Sequence, residues 1–287
     1  MSSIVYLNGH YLPIEEAKIS VLDRGFTFGD GVYEVIPVYY GHIFRLKEHI
    51  ERLNNNLDEV FIDKPHEMDQ WGKILRELID KNSEKDVAED LSLYIQVTRG
   101  VSERDHAIDI ATEQTVFVMS RTLVKKDRSA GISAIVEEDI RWKYCHIKAI
   151  TLLPSVILRH KAKQSGATEA LLVRDGYVKE GAASNVFIVK DGVVKTPPKD
   201  GSLLPGITRD LVVELLPKSG IACEEVVIKE SELRNADEIW ITSSTWEIVP
   251  VVELDGKPVG TGRTGVVWQQ AYEIYQMFKT GMSSSTG

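Results

Sequence analysis

The run Val32-Tyr-Glu-Val-Ile-Pro-Val-Tyr-Tyr40, introduced by Gly29-Asp-Gly31, decides how the first part of the chain folds. Its apolar residues alternate well enough for a β-strand, and Gly41-His42 turns the chain back into a return strand. Asn8-Gly9, the strongest type of short hairpin signal, stands inside a similar pattern over residues 4–12. The chain is therefore predicted to begin with two β-hairpins.

Apolar residues then recur at helical spacing, from Leu46 to Asn56 and again from Met68 to Lys81. Two more strand-like runs follow at Leu91 to Arg99 and at 115–120. We therefore expect a small α/β sandwich over residues 1–120, with the helices covering one face of its sheet.

A charged stretch at 121–131 has no periodic apolar face, and strand-like sequence resumes directly after it. We place an interdomain linker there and a second, larger domain over residues 132–287. Antiparallel pairs dominate that domain, and it lacks the strand–helix alternation of doubly wound folds. Its predicted elements are a strand at 132–141, a helix from Pro154 to Ser165, hairpins at Arg174-Asp-Gly176 and Lys190-Asp-Gly192, and helices at 207–216, ended by Pro217, and at 264–279. The sequence as a whole predicts an α+β fold.

Composition excludes several classes of function. The 287 residues carry a formal net charge of -9, which argues against nucleic acid as a partner because a phosphate backbone is bound by clustered Lys and Arg. No apolar run reaches the roughly 20 residues of a membrane span, and the N-terminus lacks the pattern of a signal peptide. Cys145 and Cys223 form neither a disulfide framework nor a cluster with metal-ligand spacing. We expect a cytoplasmic protein without a metal site.

Five separated motifs stand in a defined order along the chain: Asp23-Arg-Gly-Phe-Thr-Phe-Gly-Asp-Gly-Val-Tyr-Glu34; Lys148; Lys179-Glu-Gly181 with Ser184-Asn-Val186; Pro205-Gly-Ile-Thr-Arg209; and Thr242-Ser-Ser-Thr245. Together they resemble the ordered signature of the fold-type IV (class IV) pyridoxal-phosphate enzymes, over nearly the whole chain. The resemblance implies an α+β fold with a small N-terminal α/β sandwich and a larger C-terminal α/β pseudo-barrel domain. It also implies a cofactor, pyridoxal 5'-phosphate.

Lys148 is the predicted catalytic residue. It follows a strand-like segment in which Ile140, Trp142 and Tyr144 share one parity, that is, they would lie on the same face of a strand. Continued alternation would point Lys148 inward with them. A desolvated lysine can supply the neutral amine that attacks an aldehyde. By its position in the family pattern, Lys148 would form the internal aldimine and then move a proton between the substrate α-carbon and the cofactor. Lys143, the nearest alternative, has the opposite parity.

The resemblance implies a carboxylate at Glu180 that meets the pyridine nitrogen and keeps it protonated. The phosphate needs hydrogen-bond donors, and Gly206-Ile-Thr208 opens a predicted helix whose free N–H groups could bind an anion. Arg52 matches the family arginine that pairs with the phosphate. The cofactor-binding residues implied by the resemblance are Lys148, Glu180, Arg52, Leu204, Ile207, Thr208, Ser243 and Ser244.

The segment Arg99-Gly-Val-Ser-Glu-Arg-Asp-His106 discriminates among substrates. It resembles the segment of D-amino-acid transaminases in which Arg104 and His106 combine with Tyr33 to bind the substrate α-carboxylate. A guanidinium, an imidazole N–H and a phenol O–H are suitable donors for that group. In the family this loop reaches in from the neighbouring subunit, which implies a homodimer. The predicted reaction moves an amino group between a D-amino acid, such as D-alanine or D-glutamate, and a 2-oxo acid, such as 2-oxoglutarate or pyruvate.

Other functions remain open on the same fold. The alternatives are a branched-chain L-amino-acid aminotransferase, an (R)-amine transaminase, an aminodeoxychorismate lyase, and a non-catalytic pyridoxal-phosphate carrier or regulatory homodimer. The lysine, the carboxylate and the phosphate-binding residues are shared by the enzymes of the family, so they do not separate these activities. The intact catalytic set does argue against the non-catalytic alternative.

Overall fold

The computed structural model describes residues 3–82, 90–108, 112–124 and 127–281. Contacts divide the chain into two compact units, the first formed by Met1–Val124 with Ile147–Thr151, the second by Lys125–His146 with Leu152–Gly287. The short segment that carries Lys148 thus belongs to the first unit. The domain boundaries predicted from the sequence, 1–120 and 132–287, stay a prediction.

Over its described residues, the first unit forms a six-stranded sheet in the order β2-β1-β6-β5-β3-β4, with antiparallel neighbours throughout. Asn8 and Gly9 have φ values of 46° and 92°, as the predicted two-residue hairpin turn requires. The elements of this unit are β1 (Ile4–Leu7), β2 (His10–Pro13), a 3-10 turn (Ile14–Glu16), α1 (Arg24–Phe28), β3 (Gly31–Tyr39), β4 (His42–Ile43), α2 (Leu46–Glu59), α3 (Met68–Asn82), β5 (Leu91–Thr98) and β6 (Thr115–Thr122).

Burial alternates along the central strands of this sheet. On one face, residues such as Leu93 and Ile95 are buried in a core with α2 and α3, as the apolar spacing predicts. The other face is half-buried and carries Tyr33, Tyr94 and Gln96. The sheet therefore has one structural face and one that presents polar and aromatic side chains.

The second unit contains a nine-stranded sheet, counted over the residues that are described, in the order β12-β11-β10-β13-β14-β7-β8-β9 with β15 beside β14. Most pairs are antiparallel, but β7 pairs in parallel with both β8 and β14, and β11 pairs in parallel with β12. The elements are β7 (Ile132–Glu138), α4 (Leu153–Gln164), β8 (Glu169–Arg174), β9 (Tyr177–Gly181), β10 (Asn185–Lys190), β11 (Val193–Thr196), α5 (Ile207–Lys218), β12 (Cys223–Glu225), α6 (Glu230–Arg234), β13 (Glu238–Ser243), β14 (Glu247–Leu254), β15 (Lys257–Pro258) and α7 (Val266–Gly281).

The predicted strand at 132–141 is too long, and the parity argument built on it is wrong. Strand β7 ends at Glu138, and the chain continues in bends and turns. Ile140, Trp142 and Tyr144 are 47%, 46% and 59% exposed, so they form no inward row. The orientation of Lys148 must therefore come from other contacts.

Pro217 does not end helix α5, which continues to Lys218. A proline removes one N–H donor from the ladder. The Ser219 N–H still donates to the carbonyls of Leu215 and Leu216, at 3.2 and 3.0 Å, so the last turn closes around the proline. In the part of the chain that is described, every helix is too short or too polar to cross a bilayer.

Candidate active site

Lys148 is held against strand β3 by backbone hydrogen bonds. The Tyr33 N–H donates to the Lys148 carbonyl at 3.0 Å, and the Ile150 N–H donates to the Gly31 carbonyl at 3.1 Å. A Cβ at Gly31 would lie 2.6 Å from the Val97 carbonyl oxygen of β5 and 3.1 Å from Ile150 Cδ1, so glycine permits close packing against both. The Lys148 Nζ lies 4.3 Å from the centre of the Tyr33 ring. The structure thus brings together two residues that the sequence predicted for the site.

Two residues that sequence reasoning missed extend this group along the sheet. Gln96 is the direct cross-strand partner of Tyr33, and the ring centres of Tyr33 and Tyr94 are 5.7 Å apart. The Tyr94 hydroxyl donates to Gln96 Oε1 at 2.6 Å. Burial, reinforced by Tyr33, raises the pKa of Tyr94 to about 12, so its phenol stays neutral at ordinary pH. The alternation of β5 was the signal that could have placed these side chains beside Tyr33.

The neighbour of Tyr33 in sequence, Glu34, points to the opposite face and is fully buried. Arg52 Nε and Nη2 donate to its two carboxylate oxygens at 2.7 and 2.8 Å, and His49 Nδ1 lies 2.8 Å from Oε2. Burial alone would raise the pKa of Glu34, but Arg52 and His49 outweigh it and hold this pKa well below its ordinary value. Arg52 is therefore oriented by Glu34; its predicted contact with a phosphate stays a prediction.

Arg104 and His106 lie in an exposed loop and share one neighbour, Phe28. The Arg104 Cζ is 5.1 Å from the centre of the Phe28 ring, and the His106 ring centre is 5.4 Å from it. The structure therefore groups this predicted pair around an aromatic side chain of helix α1. Phe28 lies inside the Asp23–Glu34 motif but was given no role from the sequence.

In the second unit, Glu180 lies buried on strand β9. It accepts hydrogen bonds from Arg141 Nη1, from Asn185 Nδ2 at 3.0 Å, and from the Leu204 N–H at 3.1 and 3.2 Å. Burial raises the pKa of Glu180 to about 7, with Arg141 only partly offsetting it. This carboxyl can therefore change its protonation state near neutral pH.

Arg141 binds a second carboxylate besides that of Glu180. Its Nε and Nη2 donate to the buried Asp139 carboxylate at 2.9 and 3.0 Å, and Arg174 Nη2 lies 2.9 Å from the same carboxylate. Asp139, Arg141 and Arg174 are residues that sequence reasoning missed. The chain after β7 bends instead of continuing as a strand, and Arg141 lies in this bend, where it contacts both Asp139 and Glu180.

The start of helix α5 has the chemistry of an anion site. Within the described residues, no side chain caps this helix at Gly206, and both Ile207 and Thr208 are buried in its first turn. A Cβ at Gly206 would lie 2.0 Å from Asn185 Oδ1, so only glycine allows this approach. Helix α5 packs against β13, whose last residue Ser243 is half-buried. Free N–H groups and hydroxyls are donors suited to a phosphate.

Comparison with known proteins then identifies the family. Residues 31–254 match the profile of the amino-transferase class IV family. The chain belongs to the class IV aminotransferases. The predicted family, its α+β fold and its enzymatic nature are confirmed.

Class IV relatives resemble this chain over nearly its full length. The D-alanine aminotransferase of Bacillus licheniformis is 40% identical over 91% of this chain and 92% of its own. That of Listeria monocytogenes serotype 1/2a (strain 10403S) is 38% identical over 94% of both chains. Among solved structures, a branched-chain amino acid aminotransferase of Escherichia coli is 28% identical, with a TM-score of 0.89 over 95% of this chain and 93% of its own. The branched-chain enzyme of Thermobaculum terrenum, solved in its PLP-form, is 25% identical, with a TM-score of 0.88 over 98% of this chain and 94% of its own.

Proposed function

We propose that this aminotransferase moves the amino group of a D-amino acid, such as D-alanine or D-glutamate, to a 2-oxo acid such as 2-oxoglutarate or pyruvate. The observation that carries the proposal is the similarity to D-alanine aminotransferases, which reaches 40% identity over 91% of this chain. The loop with Arg104 and His106 agrees with it, because a small amino acid offers one α-carboxylate for these donors. The cytoplasmic location stays a prediction.

The cofactor is pyridoxal 5'-phosphate, which supplies an aldehyde that condenses with amines and a ring that withdraws electrons from the substrate α-carbon. Lys148 would bind the aldehyde and then use its Nζ to take and return the α-proton. Backbone bonds between strand β3 and the Lys148 carbonyl and Ile150 N–H fix the chain at Lys148 and just after it, which limits the positions open to its side chain.

Glu180 would meet the ring nitrogen and hold a proton there. Its pKa of about 7 arises from burial, and a positive group beside it would favour the ionised form. Arg141, Asn185 and the Leu204 N–H hold the carboxylate in one orientation. Leu204, which the sequence predicts among the cofactor-binding residues, would contribute through its backbone N–H to Glu180.

The phosphate would lie at the start of helix α5, where Ile207 and Thr208 supply N–H groups and Thr208 adds a hydroxyl. Ser243 and Ser244, at the end of strand β13, would add further donors, and Arg52 a guanidinium. The two backbone N–H groups suit a phosphate dianion because the helix fixes them and they need no reorganisation to bind it.

The substrate α-carboxylate would be bound by Tyr33, Arg104 and His106. The side on which this group is held decides which α-hydrogen faces Lys148.

Following the family, we propose a homodimer in which the Arg104 loop completes the active site of the neighbouring subunit. Mixing Lys148→Ala chains with Arg104→Ala chains tests this arrangement. Hybrid dimers should regain activity, since one site would then receive both an intact Lys148 and an intact Arg104. No gain over the two parent variants would contradict the exchange of loops.

A half-reaction panel tests the substrate class. D-Alanine should change the visible absorbance of the bound cofactor in a single turnover, while L-leucine should not. Lys148→Ala should abolish turnover, and Lys143→Ala, a matched change at an exposed lysine five residues earlier, should leave it unchanged. A response to L-leucine alone would favour the branched-chain activity, a response to (R)-amines alone the (R)-amine activity, and release of pyruvate from aminodeoxychorismate the lyase.

A further inference from the structure

Arg24, in helix α1, links this helix to the loop that carries Arg104 and His106. Its side chain is buried, and its Nη1 donates to the carbonyl of Asp105 at 2.6 Å and to the carbonyl of Ala107 at 3.3 Å. These two carbonyls flank His106, and the first directly follows Arg104. One guanidinium therefore holds the backbone on both sides of the histidine.

The backbone of Arg24 holds the other end of the same loop. Its N–H donates to the Gly100 carbonyl at 2.8 Å. Gly100 has a φ of +99°, and a Cβ there would lie 1.8 Å from the Glu113 carbonyl oxygen. The loop from Gly100 to Ala107 is thus attached to Arg24 near its start and its end, while its side chains from Glu103 onward are exposed.

Phe28 adds a side-chain contact to these backbone bonds. It stands four residues after Arg24, on the same side of helix α1. The Arg24 Cζ lies 4.7 Å from the ring centre, and the Arg104 Cζ lies 5.1 Å from it. Both guanidinium groups therefore lie within cation–π distance of the ring, which also contacts His106. Cation–π attraction lets an aromatic ring hold arginine side chains without pairing their charge.

Asp30 fixes the Arg24 side chain. Arg24 Nε donates to Asp30 Oδ2 at 2.8 Å, and Arg99 donates to both oxygens of the same carboxylate at 2.8 and 3.0 Å. Burial would raise the pKa of Asp30, but the two arginines outweigh it and lower this pKa. The carboxylate stays charged and keeps the Arg24 guanidinium aligned with the loop carbonyls.

We propose that Arg24, with Phe28 as its platform, is a positioning residue that sets the geometry of Arg104 and His106 for binding the substrate carboxylate. This inference rests on the proposed function, since it assigns Arg24 to the same carboxylate site. Arg24 acts through the loop and does not itself contact the substrate.

Arg99 provides a matched control because it is buried and paired with the same Asp30. Its remaining bonds go elsewhere, to the carbonyls of Phe61 and Val60 at 2.6 Å each. Arg24→Lys and Arg99→Lys each keep a positive charge beside Asp30 but remove one planar guanidinium with its several N–H donors. Only Arg24→Lys should release the loop.

The experiment compares the two variant holoenzymes with the wild type. In Arg24→Lys, amide hydrogen exchange over residues 101–108 should be faster than in the wild type. The KM for D-alanine should rise about tenfold while kcat stays within about twofold, because the variant loses charge-assisted hydrogen bonds that position a binding group. The inhibition constant of propionate, a carboxylate without an amino group, should rise in parallel. Arg99→Lys should leave all three values near those of the wild type.

Hydrogen exchange and the KM comparison test the positioning role of Arg24, whereas turnover of D-alanine by the wild-type enzyme tests the proposed function. Unchanged exchange in Arg24→Lys, or equal changes in KM in both variants, would overturn the positioning role. Wild-type enzyme that does not turn over D-alanine would contradict the proposed function, and hydrogen exchange would still decide whether Arg24 anchors the loop.

Discussion

Glu34 in the first unit and Glu180 in the second are both buried carboxylates paired with an arginine, yet their pKa values shift in opposite directions. Arg52 donates to both oxygens of Glu34, and His49 adds a third contact. Glu180 shares Arg141 with Asp139, and its other donors are the neutral amides of Asn185 and Leu204. The pKa of Glu34 therefore lies well below its ordinary value, while burial raises that of Glu180 to about 7.

The surroundings of each carboxylate determine what it can do. Glu34 is a fixed anion whose charge is compensated within its own cluster, so its task is to orient Arg52. Glu180 is only partly compensated, and a positively charged ring nitrogen would complete its environment. An incompletely compensated buried carboxyl identifies a place where a cationic ligand group is favoured.

Glu180→Gln should strongly reduce activity. An amide cannot hold the proton at the ring nitrogen, so kcat should fall about 10²- to 10⁴-fold, the range typical of losing a proton-transfer group. Steady-state kinetics with D-alanine and 2-oxoglutarate measure this. Glu180→Asp, which keeps the charge, should recover part of the loss. A Glu180→Gln enzyme with normal kcat would remove Glu180 from the cofactor site.

Glu34→Gln should act on stability. The change leaves Arg52 buried without its carboxylate, and breaking a buried ion pair costs about 3 to 5 kcal/mol. Urea denaturation at pH 7 measures the loss in the free energy of unfolding. The control is Lys47→Gln, because Lys47 forms an exposed ion pair with Glu51 whose side chains are 76% and 54% exposed. Equal stability of the two variants would contradict the assignment of Glu34 as a compensated structural anion.

The local signals of the first unit were sufficient to predict its hairpins, its other strands and its two long helices, but not the five-residue helix α1 or the 3-10 turn. Asn8-Gly9 gave the hairpin turn, and the apolar spacing of α2 and α3 gave their positions to within a few residues. Local pattern failed at Ile140, Trp142 and Tyr144, where alternation suggested a strand. There Asp139 instead binds two arginine side chains, and the aromatic residues remain exposed.

The candidate site was predictable where residues lie in ordered motifs and unpredictable where partners are far apart in sequence. Lys148 and Glu180 were predicted through motifs, and these roles stay predictions, while the parity argument for Lys148 was wrong. Arg24 lies 81 residues before its partner Asp105, and Arg141 lies 39 residues before Glu180. A single sequence does not show which of its many arginines will meet a given carbonyl or carboxylate after folding.

Glu180 and Glu34 should also differ, more modestly, in how they make the free energy of unfolding depend on pH. Because the pKa of Glu180 is about 7 in the folded protein and 4.5 ordinarily, the folded state binds more protons between these values, and stability falls as pH rises through this window. A shift of this size corresponds to about 3 kcal/mol at most.

Glu34 behaves oppositely: its depressed pKa adds stability above pH 4.5, which is lost only as pH falls below that value. Urea denaturation of cofactor-free protein should therefore show that the free energy of unfolding of the wild type is lower at pH 8 than at pH 5. This decrease should be smaller in Glu180→Gln and unchanged in Glu34→Gln. An unchanged fall in Glu180→Gln would show that another group titrates in this window, and the contrast between the two buried carboxylates would then be lost.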